Sequence, residues 1–317
     1  MGNSNNNIED LLDLLRPHYG TGLTIYPVAG GDCHKSYRLD CEDGRHFFMK
    51  TNTPRYLEVL ASEHFSLCKV AALLGGVDAL YPEVEGYIEE AGVCCLVLEW
   101  RELGTFNESN GAAIANSLFN QHAISADRYG WEESNFLGLT KQNNNWNISW
   151  ADFFLTERLM PQAKQAKANG MPVYLLEQVK RTCENAHTLL QSHQPTPSLL
   201  HGDLWMGNVS WDIARDEPCL YDPAPYFGDP EVDIAMSRLF GQLPASFYKH
   251  YYTRYGELPN NNAAPDEPSS ELKGVRLERE LAPVQRRAQV YNLLHALNHF
   301  NLFGGGYLSM VESHLFQ

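Results

Sequence analysis

The sequence carries little positive charge for its length. It contains 24 Lys and Arg against 39 Asp and Glu in 317 residues, which gives a formal net charge of −15. Because an acidic surface repels nucleic acid and anionic lipid, neither is expected as a general partner. No apolar run approaches the roughly 20 residues of a membrane helix, so no membrane span is expected. The first residues lack both a basic cluster and an apolar run, so we expect no secretory signal.

Cysteines at metal-binding or disulfide-rich spacing are also missing. The seven cysteines are an odd number, and none of them forms a Cys-x-x-Cys pair. This usage favours reduced thiols in a cytoplasmic protein over disulfides or a zinc site. His295 and His299 are four residues apart, as two metal ligands on a helix can be, but no third ligand is evident and we expect no zinc there.

The length suggests two domains or one two-lobed unit. Strand-like segments dominate the first hundred residues, and helical spacing dominates the remainder. A first helix is predicted from Ile8 to Leu15, with Asn7 as its N-cap and Pro17 as its end. Apolar spacing predicts further helices over 56–74, 107–124, 150–159, 174–190 and 290–304.

An ordered set of polar residues lies between apolar segments in the second half. His201-Gly202-Asp203 follows two leucines, Asn208 comes five residues after Asp203, and a second apolar step leads to Asp222. Protein kinases use Asp and Asn at this separation and a later Asp for magnesium, although Gly202 here replaces the usual Arg and Asp-Pro-Ala replaces Asp-Phe-Gly. Either Asp alone could be an ordinary turn residue, so the interpretation depends on the whole set.

Residues earlier in the chain match the same pattern. Gly30 and Gly31 lie between two strand-like segments, where backbone N–H groups could approach phosphate, although two glycines alone indicate only a hairpin. Lys50 ends the next apolar strand, at the place of a kinase phosphate-binding lysine, and would otherwise be a solvated edge charge. Glu63 is either a surface residue of the 56–74 helix or the partner that orients Lys50.

The apolar run from Val93 to Trp100 predicts a buried strand. Its exit, Glu99, Trp100 and Arg101, would join a smaller lobe to a larger one. The backbone groups there would bind the adenine edge, a prediction that rests on position only. Asp229 suits a helix N-cap. Asp233 either braces the loop that contains Asp203 or is a solvated carboxylate.

Together these residues resemble the fructosamine (ketosamine) 3-kinases, within the aminoglycoside and choline phosphotransferase-like kinases. The similarity covers roughly residues 8–312, and Trp205 is its most specific residue, since related aminoglycoside-type kinases usually have His-Pro there. The resemblance implies an α+β, protein-kinase-like fold with a small β-rich N-terminal lobe (1–98) and a large, mainly α-helical C-terminal lobe (99–317). It also implies ATP-dependent phosphorylation of the sugar 3-hydroxyl of ketosamines, which promotes deglycation.

The resemblance assigns roles residue by residue. Asp203 would be the catalytic base, Asn208 and Asp222 the magnesium ligands, and Lys50 the phosphate contact held by Glu63. ATP and Mg²⁺ would be the cofactors, and small ketosamines or glycated protein lysines the substrates, with no prediction of oligomeric state. Trp205 would either line the sugar pocket or pack in the core. Some members carry a redox-sensitive cysteine in the glycine-rich loop; Cys33 is displaced from that place by about one position, which favours a packed thiol.

Two other functions stay open at this stage. The same fold could phosphorylate another small hydroxyl compound, such as an aminoglycoside or an amino alcohol, and Trp205 favours the ketosamine over these. The chain could also be a catalytically silent nucleotide-binding module. The joint presence of Lys50, Glu63, Asp203 and both expected metal ligands argues against that function.

Overall fold

The computed structural model describes residues 5–29, 34–75, 80–90, 93–255 and 275–316. The glycine-rich turn that contains Gly30, Gly31 and Cys33 lies outside the described residues.

A five-stranded antiparallel sheet forms the first part of the protein. Its strand order is β1-β2-β3-β5-β4, so the apolar run predicted to be buried, β5, lies between two neighbours. Its residues from Cys94 to Leu98 are buried, which confirms that prediction. The strands are β1 (Thr24–Val28), β2 (Lys35–Asp40), β3 (His46–Asn52), β4 (Val84–Glu90) and β5 (Val93–Glu99).

Side chains alternate between the two faces of β3, as the period of two requires. Phe47 and Met49 belong to a core cluster shared with helix α1 (Asn5–Tyr19). Phe48 and Lys50 face the other way, toward helix α2 (Leu57–Leu74) and an open cleft. The same alternation that buries Phe47 therefore directs the Lys50 ammonium between the sheet and α2.

The predicted boundaries of α1 are wrong at both ends. The helix includes Asn7 rather than beginning after it, and Pro17 lies inside the last turn. A proline inside a helix lacks the N–H that would bond the carbonyl four residues earlier, and here the helix continues for two residues beyond it. The 56–74 prediction is closer: a short 3₁₀ turn, Pro54–Tyr56, leads into α2, and Gly75 ends it at φ 67°.

The rest of the chain is mainly helical. The segment predicted as one helix over 150–159 is instead helix α4 (Trp150–Phe153) and a π-helical turn at Phe154–Leu159, which leads into helix α5 (Met160–Ala168). The helices are α3 (Gly111–His122), α4 (Trp150–Phe153), α5 (Met160–Ala168), α6 (Val173–Gln191), α7 (Glu231–Met236), α8 (Ala245–Tyr255), α9 (Val275–Phe303) and α10 (Leu308–Ser313). The short strands are β6 (Leu103–Gly104), β7 (Asn135–Leu137), β8 (Thr140–Gln142), β9 (Ser198–Leu199), β10 (Val209–Asp212), β11 (Glu217–Leu220) and β12 (Phe227–Gly228).

Hairpin β10–β11 holds the segments around the expected metal ligands side by side. Val209 pairs with Leu220, so Asn208 and Asp222 emerge at the same end of the hairpin. At its other end, β10 pairs with β6, which directly follows the connection from the five-stranded sheet. The lobe boundary between residues 98 and 99 stays a prediction.

Two global features complete the fold. Among the described residues, no helix is long and apolar enough to cross a membrane. The six cysteines within the described ranges are free thiols.

Candidate active site

The loop that carries Asp203 is hydrogen-bonded to the buried carboxylate of Asp233. The backbone N–H groups of His201 and Gly202 donate to the two oxygens of Asp233, at 2.7 and 2.9 Å. His122 Nε2 lies 3.0 Å from the same carboxylate. Burial alone would raise the pKa of Asp233, but the hydrogen bond and charge of His122 hold it below its ordinary value. Asp233 therefore braces the loop, and it is not a solvated carboxylate.

His201 joins this loop to the turn that contains Asp222. Its Nε2–H donates to the carbonyl of Tyr221 at 3.0 Å, and its Nδ1 accepts from the Asp203 N–H at 3.2 Å. The backbone of Ala224 also donates to the His201 carbonyl, at 2.8 Å. Because these bonds cross between the two segments, Asp203 and Asp222 are held by one framework.

Glycine is required at position 202. Its φ is 84°, and a Cβ atom there would lie 1.9 Å from the carbonyl oxygen of Ala224. The close approach of the two segments thus explains why no arginine occupies this place in the His-Gly-Asp turn. Asp222 is itself strained, with φ 55°, a conformation that a non-glycine residue holds only where its surroundings enforce it.

Lys50 lies between the carboxylates of Glu63 and Asp222. Its Nζ is 2.7 Å from Glu63 Oε1 and also pairs with Asp222 Oδ1. Burial would lower the pKa of Lys50, but the charges of Asp222 and Glu63 outweigh it, and the pKa is raised. The lysine is therefore a fixed cation at the cleft, and α2 supplies the partner that the sequence suggested.

Asp203 lies at the base of the cleft with a side chain that is 22% exposed. Burial, with added repulsion from Asp222 and Asp233, raises its pKa to about 7. Asn208 donates through Nδ2 to the Asp203 carbonyl at 2.9 Å and, more weakly, to Oδ2 at 3.4 Å. A carboxylate with a pKa near neutrality is suited to accept a proton from a hydroxyl group.

The two expected metal ligands offer oxygen atoms to the same cleft. Because Asn208 uses Nδ2 for its bonds to Asp203, its amide oxygen is left as an acceptor. Asp222 is 43% exposed and balanced only by Lys50 among the described ion pairs. A carboxylate and an amide oxygen are ligands that Mg²⁺ prefers, so the donor set fits that ion.

The three connecting residues after β5 line the cleft, but their side chains have other contacts. Arg101 is buried and pairs with Glu99 at 2.7 Å and with Asp212, at the end of β10, at 2.9 Å. Trp100 packs under the guanidinium of Arg38, 4.9 Å from its ring centre. Their side chains thus have partners within the protein, and the binding of adenine by the backbone groups of Glu99, Trp100 and Arg101 stays a prediction.

The cleft has a volume of about 1130 Å³, and part of its lining is an aromatic wall made of Trp205, Phe240, His299 and Tyr307. Trp205 is half-buried there, edge-on to Phe240 at 6.0 Å. Phe240 lies 4.4 Å from the ring of His299, which in turn contacts Tyr307 at 5.1 Å. Trp205 thus faces the cleft instead of being enclosed in the core, and a Cβ at Gly207 would lie 2.2 Å from its ring.

Two groups of residues in the site were missed by sequence reasoning. The ion pairs of Arg101 with Asp212 and Glu217 link segments more than 100 residues apart, which no local pattern reveals. His295 on α9 lies beside Asp203, with Nδ1 3.9 Å from Oδ1. Its spacing from His299 was the only signal, and it suggested a metal pair instead.

Comparison with solved structures defines the class of protein. A candidate fructosamine-3-kinase from Haemophilus somnus superposes with a TM-score of 0.76 at 24% identity, covering 96% of this chain and 95% of that chain. An ADP-bound aminoglycoside phosphotransferase superposes with a TM-score of 0.58 at 12% identity, covering 99% of this chain and 98% of that chain. At these identities the likeness establishes the fold alone, which is that of the protein-kinase-like phosphotransferases.

Sequence comparison defines the family. A profile of the fructosamine kinase family matches residues 8–261 and 280–317. A probable ketoamine kinase from Synechocystis sp. is 36% identical over 295 residues, 92% of this chain and 88% of the relative. A chloroplastic protein-ribulosamine 3-kinase from Oryza sativa subsp. japonica is 30% identical, over 92% of this chain and 78% of the relative. The chain belongs to the fructosamine kinase family and is an ATP-dependent kinase with an alcohol acceptor, which confirms the resemblance and the predicted fold class.

Proposed function

We propose that this kinase phosphorylates the 3-hydroxyl group of the sugar in ketosamines, with Asp203 as base and Asn208 and Asp222 as magnesium ligands. The observation that carries the proposal is that Asp203 lines one cleft together with the Lys50 cation and the aromatic wall that contains Trp205. The relatives that bear the names ketoamine kinase and protein-ribulosamine 3-kinase support this acceptor class.

In the proposed reaction, Asp203 accepts the proton of the acceptor hydroxyl, whose oxygen attacks the γ-phosphorus as ADP leaves. The raised pKa of Asp203 allows it to take a proton near neutral pH. Lys50 contacts the nucleotide phosphates, and Glu63 fixes its position from α2. Mg²⁺ on the oxygens of Asn208 and Asp222 would neutralise charge on the phosphates.

The acceptor would lie against the aromatic wall. A sugar ring presents apolar C–H faces, which can pack on the face of Trp205, while its hydroxyl groups point to Asp203. The amine end of a ketosamine is cationic, and an aromatic face attracts a cation. Both free ketosamines and glycated lysines at a protein surface have this chemistry, because the sugar end is the same in each.

The consequence of the proposed reaction is deglycation. A phosphate leaves carbon 3 of the sugar more readily than hydroxide does, so the phosphorylated adduct breaks down and releases the amine.

The free thiols of the described cysteines support a reducing setting such as the cytoplasm.

Incubation of the protein with magnesium, ATP and fructosyl-lysine tests the proposal, with the product located by ³¹P and ¹H NMR. We expect phosphate on the sugar 3-hydroxyl. The Asp203→Asn variant, which keeps the shape of the side chain, should lose about 10²- to 10⁴-fold in turnover, the scale for a general base.

Two further arms define the substrate and the metal site. Parallel reactions with an aminoglycoside and with ethanolamine should give little product. If the enzyme turned over either compound faster than fructosyl-lysine, that compound and not the ketosamine would be the acceptor. For Asp222→Asn, nucleotide affinity should no longer respond to a magnesium titration. An unchanged magnesium response would remove Asp222 from the metal site.

A further inference from the structure

His295 is a buried histidine without a hydrogen-bond partner among the described residues. Its side chain is 1% exposed, and neither ring nitrogen is bonded. A neutral imidazole has one N–H donor and one acceptor, and burial of such groups unpaired costs about 1–3 kcal/mol. A buried imidazole that is left without hydrogen bonds at this cost requires an explanation.

The carboxylate of Asp203 accounts for the position of this side chain. Nδ1 of His295 lies 3.9 Å from Oδ1 of Asp203, about 1 Å beyond a normal N–H···O bond. The other charged or titratable groups that act on His295 are His299, Asp233, His314 and Arg158, and none of them is bonded to its ring. The neighbouring His299 uses its Nδ1 for a bond to the backbone carbonyl of His295 at 2.9 Å, not to the ring of His295.

The Asp203 carboxylate is held loosely on its own loop. Among the described residues, the one hydrogen bond to its side chain comes from Asn208 to Oδ2 and is 3.4 Å long, whereas Oδ1 faces His295. A base must be held in a narrow range of orientations for proton transfer, and its supporting contacts commonly tighten only when the site is loaded.

We propose that His295 is a positioning residue for the catalytic base: in the nucleotide-loaded enzyme its Nδ1–H donates to Oδ1 of Asp203 and fixes the carboxylate plane. The other carboxylate oxygen then remains for the acceptor hydroxyl. No proton moves to His295 in this role. Burial lowers the pKa of the imidazole to about 3, so it stays neutral and acts only as a donor. The role of Asp203 as base belongs to the proposed function, on which this inference rests.

Substitutions at position 295 separate a donor from a packing residue. The amide nitrogen of Asn occupies nearly the place of Nδ1 of His, whereas that of Gln corresponds to Nε2. We expect His295→Leu to lower kcat with fructosyl-lysine about 10- to 100-fold, the scale of one hydrogen bond to a charged group, with an unchanged KM for ATP. His295→Asn should restore most of kcat, and His295→Gln should resemble His295→Leu.

Wild-type kcat in His295→Leu would overturn the inference, and so would equal losses in the Asn and Gln variants. The combination of His295→Leu with Asp203→Asn should cost no more than Asp203→Asn alone, because the two act as one unit. Additive losses would also overturn the inference, because they indicate independent roles. If His295→Leu fails to fold, the comparison of the Asn and Gln variants and the spectroscopic test below still decide.

A spectroscopic test is independent of the acceptor. With ¹⁵N-histidine, magnesium and a non-hydrolysable ATP analogue, we expect His295 to carry its proton on Nδ1, identified by the resonance that His295→Asn lacks. In Asp203→Ala this tautomer should be lost. An Nε2–H tautomer in the loaded wild type would refute the inference. Failure of the wild type to phosphorylate fructosyl-lysine would instead refute the proposed substrate and leave this measurement valid.

Discussion

Replacing Asp203 with Asn should stabilise the protein in the absence of ligands, by an amount that grows with pH. The pKa of Asp203 is about 7 in the folded state, against 3.8 for an aspartate carboxyl exposed to water in the unfolded chain. Because the folded state binds this proton more tightly than the unfolded state, stability is lost as pH rises from 3.8 through 7. The charged carboxylate is therefore a cost to folding at neutral pH, and the neutral amide of Asn avoids it.

The magnitude follows from the shift. At about 1.4 kcal/mol per pKa unit, a shift of roughly 3 units corresponds to about 4 kcal/mol above pH 7, and to about 2 kcal/mol at pH 5.5. Water that reaches the 22% exposed part of the side chain reduces both values. We therefore expect the advantage of Asp203→Asn over wild type to increase by about 1–2 kcal/mol between pH 5.5 and pH 8, or a few degrees in Tm.

The assay is thermal unfolding of the ligand-free wild type and variant at both pH values. Asp127→Asn removes an exposed carboxylate in the same way and serves as the matched control. The Tm difference between this control and the wild type should be the same at pH 5.5 and at pH 8. A pH-independent Tm difference for Asp203→Asn, or a destabilised variant at pH 8, would refute the reasoning. Addition of magnesium should reduce the Tm difference between Asp203→Asn and the wild type, since a bound cation offsets the repulsion between Asp203 and Asp222.

Three further changes test other parts of the site. Gly202→Ala should destabilise the protein by roughly 3 kcal/mol or more, because its Cβ would lie 1.9 Å from a backbone oxygen at a positive φ; wild-type stability in urea denaturation would contradict the described turn. Arg101→Met should cost about 1–3 kcal/mol, because the buried Asp212 loses the hydrogen bond from Arg101 and keeps only its pair with Arg215 and two backbone N–H groups; unchanged stability in the same denaturation assay would contradict the described pair. Lys50→Met should raise the KM for ATP, and an unchanged KM would remove Lys50 from the phosphate site.

The sequence predicted those parts of the site that depend on order along the chain. Lys50 at the end of an apolar strand, Glu63 in the following helix, and the Asp203, Asn208 and Asp222 set could be placed because strands and helices have fixed periods and the spacing is short. The structure brings Lys50 together with Glu63 and Asp222. The boundaries of α1 were not predictable in the same way, since a proline in a last turn is tolerated or not according to packing.

Residues that meet only through the fold could not be predicted. His295 is 92 positions from Asp203, and only the passage of α9 beside the catalytic loop brings them together. The pair of Arg101 and Asp212 likewise depends on β10 pairing with β6. In both cases the sequence shows an ordinary charged or titratable residue, and its partner is fixed by topology.

The close contact between Gly202 and Ala224 has a consequence for control of the enzyme. Protein kinases carry an arginine at this place in the loop, and arginine–phosphate pairs order their activation segments. Here the space for any side chain is taken by the backbone of the neighbouring turn. The loop thus has no cationic residue at this place to detect a regulatory phosphate, and its assembly is built into the fold. An assembly that requires no phosphate at this place would suit the proposed substrates, because glycation of amines occurs spontaneously.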